Sequence, residues 1–135
     1  MSFVLDASTA LAWLFEDEAT PETEAALDRL ADDDALVPSL WPYEISNALV
    51  GAERRKRVTE AQAHQFLELL RGLPVRVSTR GPFRAWEGAL VVARAHRLSA
   101  YDAAYLDLAM LEGLPLVTKD KALGGAAQEA GVAAW

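Results

Sequence analysis

Short apolar runs alternate along the chain with segments of helical periodicity. Residues 3–5 and 35–37 are unbroken apolar triplets, the pattern of strands buried on both faces. Residues 73–77 and 114–117 are two further strand candidates, and residues 132–134 a possible edge strand. The strands are therefore predicted to be few, short and widely separated in sequence.

Between these runs, apolar residues recur at helical spacing. Thr20 followed by Pro21 predicts a helix start, and Thr59 with Gln62 fits a capping box. Ser8 or Thr9 is the predicted cap of the first helix. Helices are predicted over residues 9–16, from 21 onward, over 41–54, from 59 until Gly72, and over 82–95, 99–111 and 121–130.

This alternation of strands and helices predicts an α/β fold. Parallel strands joined by helical crossovers give a three-layer α/β/α arrangement, with a central, mainly parallel sheet of four to five strands. We find no internal repeat, low-complexity tract or linker in the 135 residues. One domain over residues 1–135 is the expectation.

Composition supports a well-packed core and excludes some chemistry. Hydrophobic residues make up 52% of the chain and the mean hydropathy is +0.06, which argues against disorder. The chain has no cysteine, so it can form neither a disulfide nor a thiolate zinc site. We see no signal peptide and no apolar run of membrane-spanning length. We expect a soluble cytoplasmic protein with no membrane partner.

The charge balance is acidic, with 13 Lys and Arg against 20 Asp and Glu and a net charge of −7. Nucleic-acid binders usually carry a basic surface, so this balance counts against a simple binding module. It counts less against a metal-dependent nuclease, in which acids are clustered deliberately and a bound cation reverses the local charge.

Four acids occupy structurally marked positions. Asp6 ends the first strand and Asp120 follows the fourth, while Glu44 and Asp102 lie in the opening turns of predicted helices. Taken singly, each could be a helix cap or a partner of a helix dipole. Taken together, all four could open onto one rim of the sheet, where open α/β sheets bind ligands.

Such a cluster would be costly without a counter-charge. Two like charges about 4 Å apart repel by about 4 kcal/mol at an effective dielectric constant of about 20. Mg²⁺ or Mn²⁺ would turn this repulsion into attraction, since both ions prefer carboxylate and water oxygens. Metal binding thus explains the cluster better than four separate caps.

Several polar residues lie beside these acids. Ser8 and Thr118 each stand two residues from a candidate acid, and their hydroxyls could hold a carboxylate or could be plain caps. Asn47 shares a helix face with Glu44 and could orient it or contact substrate. Asp107 falls about 140° around the helix from Asp102, so we expect an exposed acid there.

Positive charge and aromatic residues give weaker signals. The densest basic run could contact RNA phosphates or could simply complement a helix C-terminus; it comprises Arg54, Arg55, Lys56 and Arg57. Trp13, Trp41 and Trp86 have apolar neighbours at helical spacing, which favours packing in the core or an interface. Trp135 is terminal and expected to be mobile unless docked.

The segments VLDASTALAWL, YEISNAL, LSAYDAAYLDLA and PLVTKDKAL, in this order, resemble the PIN-domain family, and most closely its VapC-type toxins. The resemblance spans essentially the whole chain. It implies a catalytic set at Asp6, Glu44, Asp102 and Asp120, supported by Ser8, Asn47 and Thr118, with metal bound by Asp6, Asp102 and Asp120. It further implies an Mg²⁺- or Mn²⁺-dependent endoribonuclease, a homodimer, and a small cognate antitoxin as inhibitor.

Two other functions are alternatives. An aspartyl-phosphate phosphatase or phosphotransferase also has an aspartate at the end of its first strand, but its usual D-x-D pattern would require an acid where this chain has Ser8. A non-catalytic module could use a PIN-like fold only to bind a partner. The complete set of four acids argues against the latter.

Overall fold

The strands form one parallel sheet in the computed structural model, which describes residues 1–134. They are β1 (Phe3–Leu5), β2 (Ala35–Val37), β3 (Val75–Val77) and β4 (Leu116–Val117). Their order is β3-β2-β1-β4, and every neighbouring pair is parallel. The α/β class and the parallel sheet are therefore confirmed, with four strands in the described residues.

Helices connect the strands and flank the sheet. They are α1 (Ala7–Leu11), α2 (Pro21–Arg29), α3 (Trp41–Arg54), α4 (Glu60–Arg71), α5 (Arg84–Glu87), α6 (Ala89–His96), α7 (Ala100–Glu112) and α8 (Lys121–Glu129), with a 3₁₀ turn at Glu16–Glu18. The capping boxes predicted at Thr20 and Thr59 are both present. No helix within residues 1–134 is long and apolar enough to cross a membrane.

The core is built around β1, whose three residues are fully buried. Neighbouring β2 and β4 are buried as well, whereas β3 lies at the sheet edge and leaves Val77 47% exposed. Helix α7 packs against β1, and α6 and α8 pack against α7. The buried centre of the sheet therefore fixes the carboxyl ends of β1 and β4, where two of the candidate acids lie.

The first helix begins earlier and ends sooner than predicted. Helix α1 spans Ala7–Leu11 rather than residues 9–16, and Asp6 occupies its N-cap position. Ser8 and Thr9 lie inside this helix, and the Ser8 hydroxyl donates to the Asp6 carboxylate. The expected cap at Ser8 or Thr9 is thus wrong, because the helix begins before both residues.

The helix predicted over residues 82–95 is divided at Gly88 into α5 and α6. The carboxylate of Asp107 lies so close that a Cβ at Gly88 would be 2.2 Å from its Oδ2 atom. Asp107 is 8% exposed and accepts hydrogen bonds from Arg84, at 3.2 Å from Nε and 3.0 Å from Nη2. The expectation of an exposed acid is wrong: Asp107 faces α5 and α6 instead of solvent.

One smaller expectation is also corrected. Residues 132–134 form no strand; a single hydrogen bond joins the Leu116 amide to the Ala133 carbonyl. Trp41 is 7% exposed and packs in the core, one of the two predicted environments, whereas Trp86 is 70% exposed, so for it packing in an interface stays a prediction. Trp135 lies outside the described residues.

The close approach of Gly88 and Asp107 predicts an unusually costly glycine substitution. Gly88→Ala should lower the free energy of unfolding by about 2 kcal/mol, because the new methyl group must displace a buried, ion-paired carboxylate. Chemical denaturation of the two proteins would measure the difference.

Gly125→Ala provides the matched control. Gly125 lies within α8 and a Cβ there meets no atom within 4 Å, so the helix should gain up to about 1 kcal/mol. Equal stability of Gly88→Ala and the unsubstituted protein would show that Asp107 moves aside freely.

Candidate active site

The register of β1 and β4 places Asp6 opposite Thr118. Leu5 pairs with Val117, and the Asp6 amide donates to the Val117 carbonyl at 3.0 Å. Asp6 and Thr118, which follow β1 and β4, therefore leave the sheet side by side at its carboxyl edge. Two residues far apart in sequence meet there because the strands are parallel neighbours.

Asp6 is held by hydroxyl groups in a buried position. It is 5% exposed, and its Oδ2 atom accepts hydrogen bonds from Ser8 Oγ at 2.7 Å and Thr118 Oγ1 at 2.6 Å. Burial raises the pKa of the Asp6 carboxyl; the two hydroxyl donors oppose this rise, and the charge of Asp120 adds to it.

Asp120 is fixed by the start of α8. It is the N-cap residue, and its Oδ1 atom accepts from the Leu123 amide at 3.0 Å. Its own amide donates to Thr118 Oγ1 at 3.0 Å. The Thr118 hydroxyl therefore connects Asp120 to Asp6, accepting from one residue and donating to the other.

Glu44 approaches from the first turn of α3. Its Oε1 atom accepts a 2.5 Å hydrogen bond from the hydroxyl of Tyr105, which is fully buried in α7. Burial raises the pKa of Glu44, the Tyr105 hydrogen bond opposes this, and the charges of Asp6 and Asp102 raise it further. Sequence reasoning missed Tyr105; the available signal was its position three residues after Asp102, on the same helix face.

Asp102 lies in the first turn of α7, which Ser99 caps by accepting from the Asp102 amide at 3.1 Å. Burial raises the pKa of its carboxyl, and the charges of Asp120 and Asp6 raise it further. The four acids, drawn from two strand ends and two helix starts, thus lie near enough to repel one another. These mutual effects on the pKa values support the prediction that the four acids lie near one another.

No positive side chain neutralises this cluster in the part of the chain that the structure describes. The ion pairs within residues 1–134 involve other acids, and none includes Asp6, Glu44, Asp102 or Asp120. Within residues 1–134, no three His, Asp or Glu side chains stand close enough to bind one ion directly. Direct binding by three of these acids would therefore require their side chains to move.

The carboxylate oxygens suit a hard cation that keeps part of its water. Glu44 Oε1 and Asp120 Oδ1 each accept one hydrogen bond from the protein, and Asp6 Oδ2 accepts two from hydroxyl groups. Mg²⁺ binds proteins through a few carboxylate oxygens while retaining several waters. An all-oxygen, anionic and uncompensated set of this kind fits Mg²⁺ or Mn²⁺.

The other predicted site residues lie farther out. Asn47 is exposed one turn beyond Glu44. The run Arg54–Arg57 is at the opposite end of α3, about 15 Å from Glu44 by helix rise. Within it, Arg57 already pairs with Asp17 and Glu18 and stacks over Phe15. The structure therefore does not place this run at the acids.

Lys119 is a cation that lies beside two of the polar site residues. It lies between Thr118 and Asp120, its amide donates to Ser8 Oγ at 3.4 Å, and its Nζ atom lies 3.4 Å from Glu18 Oε1. Its position beside Asp120 makes it better placed than the α3 run for contact with a bound phosphate.

The chain belongs to the PIN domain family, whose profile matches residues 3–128. It is 39% identical to VapC ribonuclease Mb0985 of Mycobacterium bovis, over 93% of this chain and 91% of that protein. It is 30% identical to ribonuclease VapC3 of Pyrobaculum aerophilum, over 91% and 92% respectively.

Solved structures agree on the fold. PAE2754 from Pyrobaculum aerophilum superposes with a TM-score of 0.72 at 26% identity, covering 93% of this chain and 84% of that one. A toxin–antitoxin complex from Klebsiella pneumoniae matches with a TM-score of 0.63 at 18% identity, covering 91% of each chain. The PIN-like fold expected from the sequence motifs is thereby confirmed.

The raised pKa of Asp6 predicts that this acid destabilises the metal-free protein. Asp6→Asn should raise the free energy of unfolding at pH 7 by about 1 kcal/mol, a usual gain when a strained active-site charge is removed. A group whose pKa is higher in the folded state loses stability as pH rises through that value. The gain should therefore vanish in acid, where Asp6 is protonated in both states, and denaturation at pH 3 and pH 7 would test this.

Asp32→Asn is the control, since it removes the same charge from an exposed loop. It should change stability by less than about 0.5 kcal/mol at either pH. A lower free energy of unfolding for Asp6→Asn than for the unsubstituted protein at pH 7 would contradict the inference that the ionised Asp6 carboxylate destabilises the fold.

Proposed function

We propose that this protein is an endoribonuclease that hydrolyses RNA phosphodiester bonds with Mg²⁺ or Mn²⁺, and that it is the toxin of a type II toxin–antitoxin module. The observation that carries the proposal is the cluster of four acids without a cationic partner at the carboxyl edge of the sheet. The names of the VapC relatives, ribonucleases at 30% and 39% identity, support the choice of RNA as substrate. Such a substrate favours action in the cytoplasm.

In this proposal, Asp6, Asp102 and Asp120 hold the metal, and Glu44 serves as a further ligand or orients the attacking water. When bound, the ion supplies Lewis acidity at the scissile phosphate. Ser8 and Thr118 keep the buried Asp6 carboxylate oriented through its Oδ2 atom. Their hydroxyls stabilise the ionised acid without neutralising it, so its charge remains available to a cation.

Substrate contact would begin at Lys119 and extend along the protein surface. Lys119 precedes Asp120 in the sequence, and its ammonium group pairs with the half-exposed Glu18, a contact that a phosphate could replace. Arg54, Arg55 and Lys56 are exposed at the far end of α3. They could meet an RNA strand only several nucleotides from the scissile bond, and Asn47 lies on the way.

The proposed protein partner is a small antitoxin. Solved relatives of the fold include a toxin–antitoxin complex from Klebsiella pneumoniae and VapBC2 from Rickettsia felis. The four acids, which have no cationic partner within residues 1–134, would attract an Arg or Lys side chain, and this side chain would compete with the metal. We propose that the antitoxin inhibits the enzyme in this way.

A homodimer is proposed from the apolar surface of α5 and α6. Phe83, Trp86 and Val91 are 68%, 70% and 57% exposed, and the first two rings pack together with centroids 4.8 Å apart. Large apolar groups clustered on a surface usually mark a protein contact. A second copy of the chain would bury them.

Ribonuclease activity is tested with purified protein and a single-stranded RNA. Cleavage should require Mg²⁺ or Mn²⁺, stop with EDTA, and fall at least about 100-fold in Asp102→Asn, because the cation then loses a charged ligand. Gel analysis of the RNA fragments measures the rate.

Asp32→Asn again controls for the loss of one negative charge and should cleave normally. Metal titration followed by melting temperature adds a binding measurement: Mg²⁺ should stabilise the unsubstituted protein and not Asp102→Asn. Full cleavage in EDTA would reject the proposal.

The dimer is tested by sedimentation. The unsubstituted protein should sediment as a dimer, and Trp86→Ser should shift it toward the monomer because a large apolar contact is lost. Leu69→Ser, which changes another exposed apolar residue (43% exposed) in α4, should leave the dimer intact. A monomeric unsubstituted protein would exclude this interface.

A further inference from the structure

Tyr105 is a neutral side chain that reaches a site acid from a distant part of the sequence, as Thr118 reaches Asp6. Its ring lies in α7, fully buried, and its hydroxyl donates to Glu44 Oε1 at 2.5 Å across 61 residues of sequence. We propose that Tyr105 is a positioning residue for Glu44: it fixes one carboxylate oxygen and so directs the reactivity of Glu44 to the other. This inference rests on the proposed ribonuclease function.

A role in core packing alone would not require the hydroxyl. The Tyr105 ring lies among apolar neighbours of the main core, where a phenylalanine would fill nearly the same volume. A buried phenol needs a hydrogen-bond acceptor, and the acceptor here is a candidate catalytic carboxylate.

The hydrogen bond suits an ionised Glu44. A phenol donates to a carboxylate more strongly than to a neutral group, so Tyr105 offsets part of the hydration that Glu44 loses by being half-buried. A glutamate side chain also has several rotatable bonds, and anchoring one oxygen removes most of that freedom before substrate arrives.

The Tyr105 hydrogen bond also fixes the position of Glu44 relative to Asp102. Tyr105 lies three residues after Asp102, so both project from one face of α7. Glu44 belongs to α3, and the Tyr105 hydroxyl joins it to the helix that carries Asp102. Glu44 Oε2 is then held at a fixed place relative to Asp102, which is what a water-orienting group or a monodentate ligand needs.

The test compares the unsubstituted protein with Tyr105→Phe in RNA cleavage. The turnover rate kcat should fall about 10- to 100-fold, the usual loss when an outer partner of a catalytic group is removed, while KM stays within about 2-fold. Tyr101→Phe, on the same helix with a 67% exposed ring, should cleave RNA at the unsubstituted rate.

A double-mutant cycle shows whether Tyr105 acts through Glu44. In a Glu44→Gln background, Tyr105→Phe should change kcat by less than about 2-fold, since the group that it positions is already disabled. A further 10-fold loss in that background would overturn the proposal.

A measurement without substrate completes the design. In protein labelled with ¹³C-glutamate, the carboxyl resonance that disappears in Glu44→Gln should shift in Tyr105→Phe and stay in place in Tyr101→Phe. An unmoved resonance would overturn the proposal. So would a Tyr105→Phe protein that fails to fold, because the hydroxyl would then serve stability.

The outcomes separate the two proposals. If the unsubstituted protein and Tyr105→Phe cleave RNA equally well, the positioning role is wrong and the ribonuclease function stands. If the unsubstituted protein cleaves no RNA with Mg²⁺ or Mn²⁺, the proposed function is wrong and the role of Tyr105 in it falls as well.

Discussion

Electrostatic repulsion among carboxylates around the buried Asp6 is the constraint on which the rest of this structure depends. The centre of the sheet fixes Asp6 at the end of β1, where it is 5% exposed and shares its surroundings with Asp120. The protein stabilises that charge with the hydroxyls of Ser8 and Thr118. A lysine or arginine would have been the stronger partner, but it would also have filled the position that the proposed cation would occupy.

The sequence was sufficient to predict the fold class and the elements on which the four acids lie. Strand ends and first helical turns in a parallel sheet open toward one edge, so the positions of Asp6, Glu44, Asp102 and Asp120 were open to inference from element order alone. The structure supports this through the charges that these acids feel from one another. Their assignment as metal ligands and catalytic groups stays a prediction.

Tertiary contacts account for what sequence reasoning missed. Periodicity tells which helix face a residue occupies, but not what packs against that face. Helical spacing puts Asp107 on a different face of α7 from Asp102, and for that reason it was expected to be exposed. It is buried instead, because Arg84 donates to it and Gly88 has no side chain to displace it. Tyr105 lies on the Asp102 face, but its partner Glu44 comes from another helix.

Comparison of Asp107 with Asp6 separates an ion-paired acid from one without an ionic partner within the described part of the chain. Both are nearly buried, at 8% and 5% exposure. Asp107 is neutralised by two hydrogen bonds from Arg84, so it has little left to offer a cation and its contribution is to packing. Asp6 has hydroxyl donors in place of an arginine. Because a buried charge without an ionic partner is costly, the chain bears a loss of stability at Asp6 that an arginine could have removed, and the proposed binding of a divalent ion would offset that loss.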